Sequence, residues 1–222
     1  MKKGIFICFA GIDGSGKTTL ANALVDAFKN SAIKYKYVYN RYRPVMLKPF
    51  LILARSLLLP GKDTFKDYTE DSDAKRKIFK NRILSSIYQS LLLLDYSIQI
   101  FIKVAFPLSL GRNIVCDRYV YDTICTDLAV DLDYSVQETK WILEKCIILF
   151  PRPDVTFLVD VPEEIAYTRK NDIPSIDYLK ERRKIYLSIA KEHDMIILNG
   201  IMQLDDLKSA ILAHIRRLSR NG

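Results

Sequence analysis

Short continuous apolar runs alternate with longer stretches of helical spacing along the chain. Gly4 to Ala10 (GIFICFA) is apolar at almost every position and rich in β-branched and aromatic residues, as expected of a strand buried on both faces. Gly11 to Gly16 reads as a turn. From Lys17 the spacing of Leu20, Leu24 and Phe28 predicts a helix that fades near Asn30-Ser31. Lys34 to Tyr39 alternates and predicts a second strand, followed by a polar loop from Asn40 to Pro44. Two long helical stretches, Val45 to Leu59 and Ala74 to Phe106, flank a charged loop over Pro60 to Asp73.

The second half repeats the alternation. Strands are predicted over Asn113 to Cys116, Asp154 to Val159 and Met195 to Leu198. Helices are predicted over Tyr121 to Val130, Ser135 to Phe150, Pro162 to about Lys170, Ser175 to Lys191 and Leu204 to Leu218. Five strands separated by helices imply an α/β fold, a five-stranded parallel sheet flanked by helices on both faces. With no linker or repeat in sight, residues 1–222 are expected to form a single domain. Ligands of such sheets sit at the C-terminal ends of the strands, where the glycine turn, Asp117-Arg118 and Asp160 can converge.

Composition narrows this picture only a little. The net charge of +8 favours anionic partners, but the basic clusters 75–77, 180–184 and 216–220 lack the interleaved aromatics of a nucleic-acid module and read as solvated faces. The four cysteines form no C-x-x-C pair, and Cys8 and Cys116 fall inside strand runs, so buried reduced thiols are expected. His193 and His214 have no partner at metal-ligand spacing. Asp95, Lys103 and two glutamines interrupt the apolar stretch from Ile83 to Leu110, and no signal peptide opens the chain, which predicts a soluble, cytoplasmic protein with no membrane span.

The chemistry lies in Gly11-Ile12-Asp13-Gly14-Ser15-Gly16-Lys17-Thr18, which matches G-x-x-x-x-G-K-[ST] between a buried strand and a helix. Glycines let backbone N–H groups turn inward around phosphates, and the helix N-terminus adds partial positive charge. Lys17 is a mobile cation for the β- and γ-phosphates of a nucleoside triphosphate, and the Thr18 hydroxyl is the expected ligand for Mg²⁺. Thr19 either lines the phosphate site or simply starts the helix. Asp13 would repel phosphates and must face elsewhere, toward an acceptor hydroxyl or into the turn itself. At the end of the third strand, Asp117 can hold Mg²⁺ or take a proton, and Arg118 offers a planar fork to phosphate oxygens. A plain ion pair at a strand end is the bland reading of that pair.

Together these residues resemble the thymidylate kinase family of nucleoside monophosphate kinases. Phe9 to Thr19 meets its F-x-G-x-D-G-x-G-K-[ST]-T opening, and Asp117-Arg118-Tyr119 meets its D-R-Y. Pro153-Asp154, Val159-Asp160-Val161, Glu164, Ala166 and Arg169 meet its third signature. The resemblance implies transfer of the ATP γ-phosphate to a deoxynucleoside monophosphate, dTMP to dTDP, with Mg²⁺ and in a homodimer. It implies roles for Lys17, Asp117, Arg118 and Arg169 in catalysis, and for Gly11, Asp13, Gly14, Ser15, Gly16, Thr18, Thr19 and Asn199 in nucleotide binding. Arg41, Arg43, Tyr96 and Tyr119 would join Asp13 and Arg118 at the acceptor, and residues 169–177 would form a short lid.

Two departures fall in the acceptor half. Asn40-Arg41-Tyr42-Arg43-Pro44 stands where the family has Arg-Glu-Pro-Gly, and Leu92 and Tyr96 stand where it has a phenylalanine and an arginine that read thymine. A lost guanidinium removes a charge-assisted hydrogen bond of about 1.5–3 kcal/mol from such a pocket. A kinase of an unphosphorylated deoxynucleoside is the nearest alternative, and an ATP-switched nucleic-acid-binding protein is the alternative outside enzymes. The long apolar helices must hide their surface in a core or against a second subunit.

Overall fold

Strand β1 (Phe6–Ala10) is wholly buried and forms the centre of a parallel sheet of order β2-β3-β1-β4-β5. Its partners are β3 (Asn113–Asp117), in register with Phe6 opposite Ile114, and β4 (Val155–Asp160), with Ile7 opposite Val155. β2 (Tyr35–Tyr39) and β5 (Ile196–Asn199) complete the edges. A computed structural model describes residues 4–45, 48–49, 81–129, 132 and 134–221. The helix expected over 45–59, the loop over 60–73 and the first part of the helix expected from Ala74 therefore fall almost wholly outside the described residues.

Among the described residues the main helices are α1 (Lys17–Asn30), α2 (Arg82–Ile100), α3 (Phe106–Ser109), α4 (Val120–Asp122), α5 (Val136–Leu149), α6 (Glu163–Thr168), α7 (Ile176–Ala190) and α8 (Leu204–Asn221). Local chemistry sets several of their starts. Asn81 accepts from the N–H groups of Ile83 and Leu84, Ser135 and Glu138 form a reciprocal capping box, and Ser175 accepts from Tyr178. Two helical segments differ from expectation. A π-helical turn, Phe101–Ala105, separates α2 from α3, where Pro107 brings no N–H to the carbonyl of Lys103. The helix expected over 121–130 is the short α4 followed by a π-helical run, Thr123–Leu128.

Alternate residues of the buried strands feed two cores. Ile7, Phe9, Val115, Phe157 and Val159 pack against α1 and α8 through Leu20, Leu24, Leu207 and Ile211. Phe6, Cys8, Ala10, Cys116 and Leu158 pack on the other face against Tyr96, Ile100, Leu143 and Ile185. All four cysteines are free and buried, and burial pushes each thiol up, Cys146 to about 12. One helical stretch, Ile83–Ser109, is long and apolar enough to cross a membrane by length and composition, yet 44% of its most apolar window is buried in the protein.

Candidate active site

Every strand of the sheet is parallel, so the turns after β1, β3 and β4 emerge on one rim. The turn after β1 is built for close approach. Gly11 has φ +139° with the Val159 carbonyl 2.6 Å from where a Cβ would stand. Gly14 has φ +81° with the Ala166 carbonyl at 2.2 Å, so any side chain there would drive the loop off α6. Lys17 opens α1 and lies folded over the loop, its buried ammonium donating to the carbonyls of Gly11 (2.7 Å) and Ile12 (2.6 Å). Burial, with repulsion from Arg118 added, lowers its pKa to about 8. Ser15 is buried beneath it, and Thr18 and Thr19 are exposed on the first turn of the helix.

The Thr18 hydroxyl donates to Asp117 Oδ2 at 2.6 Å, joining the first turn of α1 to the end of β3 across 99 positions of sequence. Tyr37, from β2, donates to the same oxygen at 3.1 Å. The other oxygen, Oδ1, is buried and has no hydrogen-bond partner. A carboxylate with one idle oxygen beside a threonine hydroxyl is the donor set that a hard cation such as Mg²⁺ takes when phosphates complete its shell. Among the described residues no cluster of three or more His, Cys, Asp or Glu could hold a metal by itself. The site thus fits a cation that arrives with a nucleotide. Tyr37 is a member of this group that sequence reasoning misses, and the alternation of KYKYVY is the sole hint of its direction.

Arg118 follows with φ +72°, a left-handed backbone unusual outside glycine. Its guanidinium bridges Asp13 (2.6 Å) and Asp122 (3.2 Å), with all three side chains 8% exposed or less. Burial works against these charges, but Asp122 and Asp13 outweigh it at Arg118 and hold the arginine even more firmly protonated. Burial also pushes Asp13 up, and Arg118, Lys17 and Arg41 overcome it to hold the carboxyl well below the usual range. At Asp122 burial prevails over Lys17 and Arg118, and the pKa is raised. Removing one partner of a buried pair costs about 3–5 kcal/mol, against at most about 1 kcal/mol for an exposed pair such as Lys29–Asp26.

Two residues expected at the acceptor are sealed inside the fold. Tyr96 is wholly buried, its hydroxyl donating to the Asn40 carbonyl (3.1 Å) and accepting from Asn40 Nδ2 (3.2 Å), with its ring edge-on to Tyr42 and Phe150. Tyr119 is 1% exposed, donates to the Pro151 carbonyl (2.9 Å) and meets Phe6 edge-on. Both rings find apolar neighbours and a carbonyl inside the fold, which holds them in the core. Tyr96 belongs to a scaffold behind the loop after β2. Asp95 accepts from Tyr42 (3.3 Å) and from Val45 N (2.9 Å), and Gln99 donates to the Arg43 carbonyl (2.8 Å). Arg41 on that loop is close enough to stabilise the Asp13 carboxylate, and the Arg43 side chain is exposed.

On the opposite side, Arg169 ends α6 and donates through both terminal nitrogens to the Gly200 carbonyl (3.2 and 3.3 Å), next to the exposed Asn199. Arg183 clasps Asp160 with two hydrogen bonds (2.7 and 3.0 Å) and Glu163 with a third (2.8 Å). Arg182 is buried with its guanidinium 3.3 Å from the centre of the Tyr178 ring.

A family profile described as thymidylate kinase matches residues 9–211. Proteins named "Probable thymidylate kinase" from Pyrococcus horikoshii and Metallosphaera sedula are 26% and 29% identical, covering 96% of this chain and 97% and 92% of their own lengths. A protein named "Thymidylate kinase" from Wolbachia pipientis subsp. Culex pipiens is 27% identical over 96% of each chain. The phosphate-loop turn, the Asp117-Arg118 rim and the strand order that brings them together all fall inside the matched span, and the chain belongs to the thymidylate kinase family.

Proposed function

We propose that this chain transfers the γ-phosphate of ATP to the 5′-phosphate of dTMP, giving ADP and dTDP. The observation that carries the reading is the rim itself, where Thr18 and Asp117 meet at 2.6 Å beside a glycine turn closed by Lys17. In this reading the inward N–H groups of residues 11–18 and the Lys17 ammonium bind and orient the triphosphate. Thr18 and Asp117 would hold Mg²⁺, which supplies charge neutralisation at the β- and γ-phosphate oxygens. Asp13, Arg41, Arg43 and Arg118 form the acceptor side, where arginine forks suit a phosphorylated acceptor better than a bare alcohol.

Phosphoryl transfer asks little covalent chemistry of a protein, so positioning and charge stabilisation carry the rate. Arg169, held on Gly200, sits on the Asn199 side of the rim and serves the nucleotide base side of the site, with residues 169–177 as a short lid. Two copies of the chain pair through the exposed apolar side chains of Ile83, Ile87, Leu91, Leu94, Ile98 and Phe101 along α2 and the turn after it, which covers that face. Incubation with Mg-ATP and a panel of nucleoside monophosphates and unphosphorylated nucleosides, following ADP release, tests the function. ADP release with dTMP supports it; release only with unphosphorylated nucleosides, or none with any acceptor, refutes it.

A further inference from the structure

Arg118 leaves β3 in a left-handed conformation and is pinned there by its own N–H, which donates to the Phe9 carbonyl at 3.1 Å. Such backbone persists where the surroundings over-determine it. The guanidinium that it projects is gripped from two sides, by Asp13 at Nη2 and Asp122 at Nη1. These grips are not equivalent. Asp13 belongs to the phosphate loop and keeps some exposure, so it can exchange Arg118 for an incoming acceptor. Asp122 lies four residues after Arg118, has no exposed surface, and accepts the Tyr119 N–H on its second oxygen at 3.4 Å. Asp122 is sealed from solvent, so no water competes with the arginine for it.

Lys17 is also close enough to this carboxylate to feel its charge. The two cations repel each other, and Asp122 attracts both. An arginine close enough to repel the phosphate-loop lysine needs a fixed counter-charge beside it. Asp13 cannot supply it once it turns to the acceptor.

We propose that Asp122 is a positioning residue, holding the Arg118 guanidinium aimed across the phosphate loop when Asp13 is drawn to the acceptor. The proposal rests on the kinase reading above for its catalytic consequence, though not for its geometry. Asp122→Asn keeps the shape and removes the charge. With dTMP as acceptor, kcat falls about ten- to a hundredfold, as for displaced catalytic groups, while the KM for ATP, read at about pH 6 where Lys17 keeps its proton, changes less than about threefold because the glycine turn is untouched. In an Arg118→Ala background the same substitution has almost no further effect on kcat. Losses that multiply in full, or an unchanged kcat in the single variant, overturn the proposal.

A readout without turnover separates this from the function itself. In ¹⁵N-arginine-labelled protein the Arg118 guanidinium signals, identified by their loss in Arg118→Lys, are sharp and resolved. They collapse toward the averaged signals of exposed arginines in Asp122→Asn but stay sharp in Asp13→Asn. Equal broadening in both variants, or broadening in Asp13→Asn alone, makes Asp13 the holder and overturns the proposal, and the Asp13 arm decides even where Asp122→Asn fails to fold. Absence of ADP release from the native protein would sink the proposed function alone and leave the spectra to decide the role of Asp122.

Discussion

At the scale of single residues, the site is a balance among three carboxylates and two cations packed where water does not reach. Lys17 shows the cost most directly. Burial and Arg118 bring its pKa down to about 8 in the free protein, while a polyphosphate beside it would push it up again. Above pH 8 nucleotide binding must therefore take up a proton. ATP affinity is full below that pKa and is lost as pH rises through it, by up to about tenfold per pH unit. Calorimetric titration of ATP between pH 6.5 and 9.5 checks this, and a dissociation constant flat across that range would contradict it. Lys17→Ala removes the group altogether and lowers kcat/KM for ATP by at least about a hundredfold, the scale for losing one preorganised donor to phosphate charge; near-native turnover would count against the phosphate-loop assignment.

At the scale of elements, α2 does two jobs with opposite faces and one polar edge. Asp95, Tyr96 and Gln99 fix the loop after β2 through hydrogen bonds to Tyr42, Asn40, Arg43 and Val45. Tyr96→Phe removes a buried hydroxyl that both donates to and accepts from Asn40, leaving those groups unsatisfied at a cost of about 1–3 kcal/mol. Urea melts should show that loss, and the KM for dTMP should rise severalfold with the KM for ATP unchanged; a rise in both would place Tyr96 in the general scaffold only. The elements themselves are largely legible in the sequence, because β1, α1 and the turn between them obey local rules of run length, helical spacing and glycine geometry. Convergence of Thr18 with Asp117 is legible too, through the rule that places ligands at strand ends. The direction of Tyr96 and Tyr119 is not, since an aromatic ring goes where its distant neighbours leave room, and neither Phe150 nor Pro151 is marked as that neighbour by any local pattern. Asp122 escapes for a different reason, as its one signal is the four-residue step from Arg118 on a turn that is π-helical beyond it.

At the scale of the whole molecule, α2 and the turn after it carry two apolar rows. Leu92, Tyr96, Ile100 and Val104, in steps of four, are sealed in the core. Ile83, Ile87, Leu91, Leu94, Ile98 and Phe101 run along the other side and are exposed, Leu94 at 61%. An exposed apolar row of this length marks an interaction surface, and steps of four and three are the spacing at which one helix packs along another. A second copy presenting the same row around a two-fold axis covers it without any further partner. Light scattering on the native chain should then give twice the 25.6 kDa mass, and Leu94→Glu with Ile98→Glu should return it to 25.6 kDa. Because Asp95, Tyr96 and Gln99 share this helix with the row, the loop after β2 is mechanically tied to that row. The monomeric variant should therefore lose dTMP affinity before ATP affinity, and a variant that stays monomeric with both unchanged would separate the interface from the site.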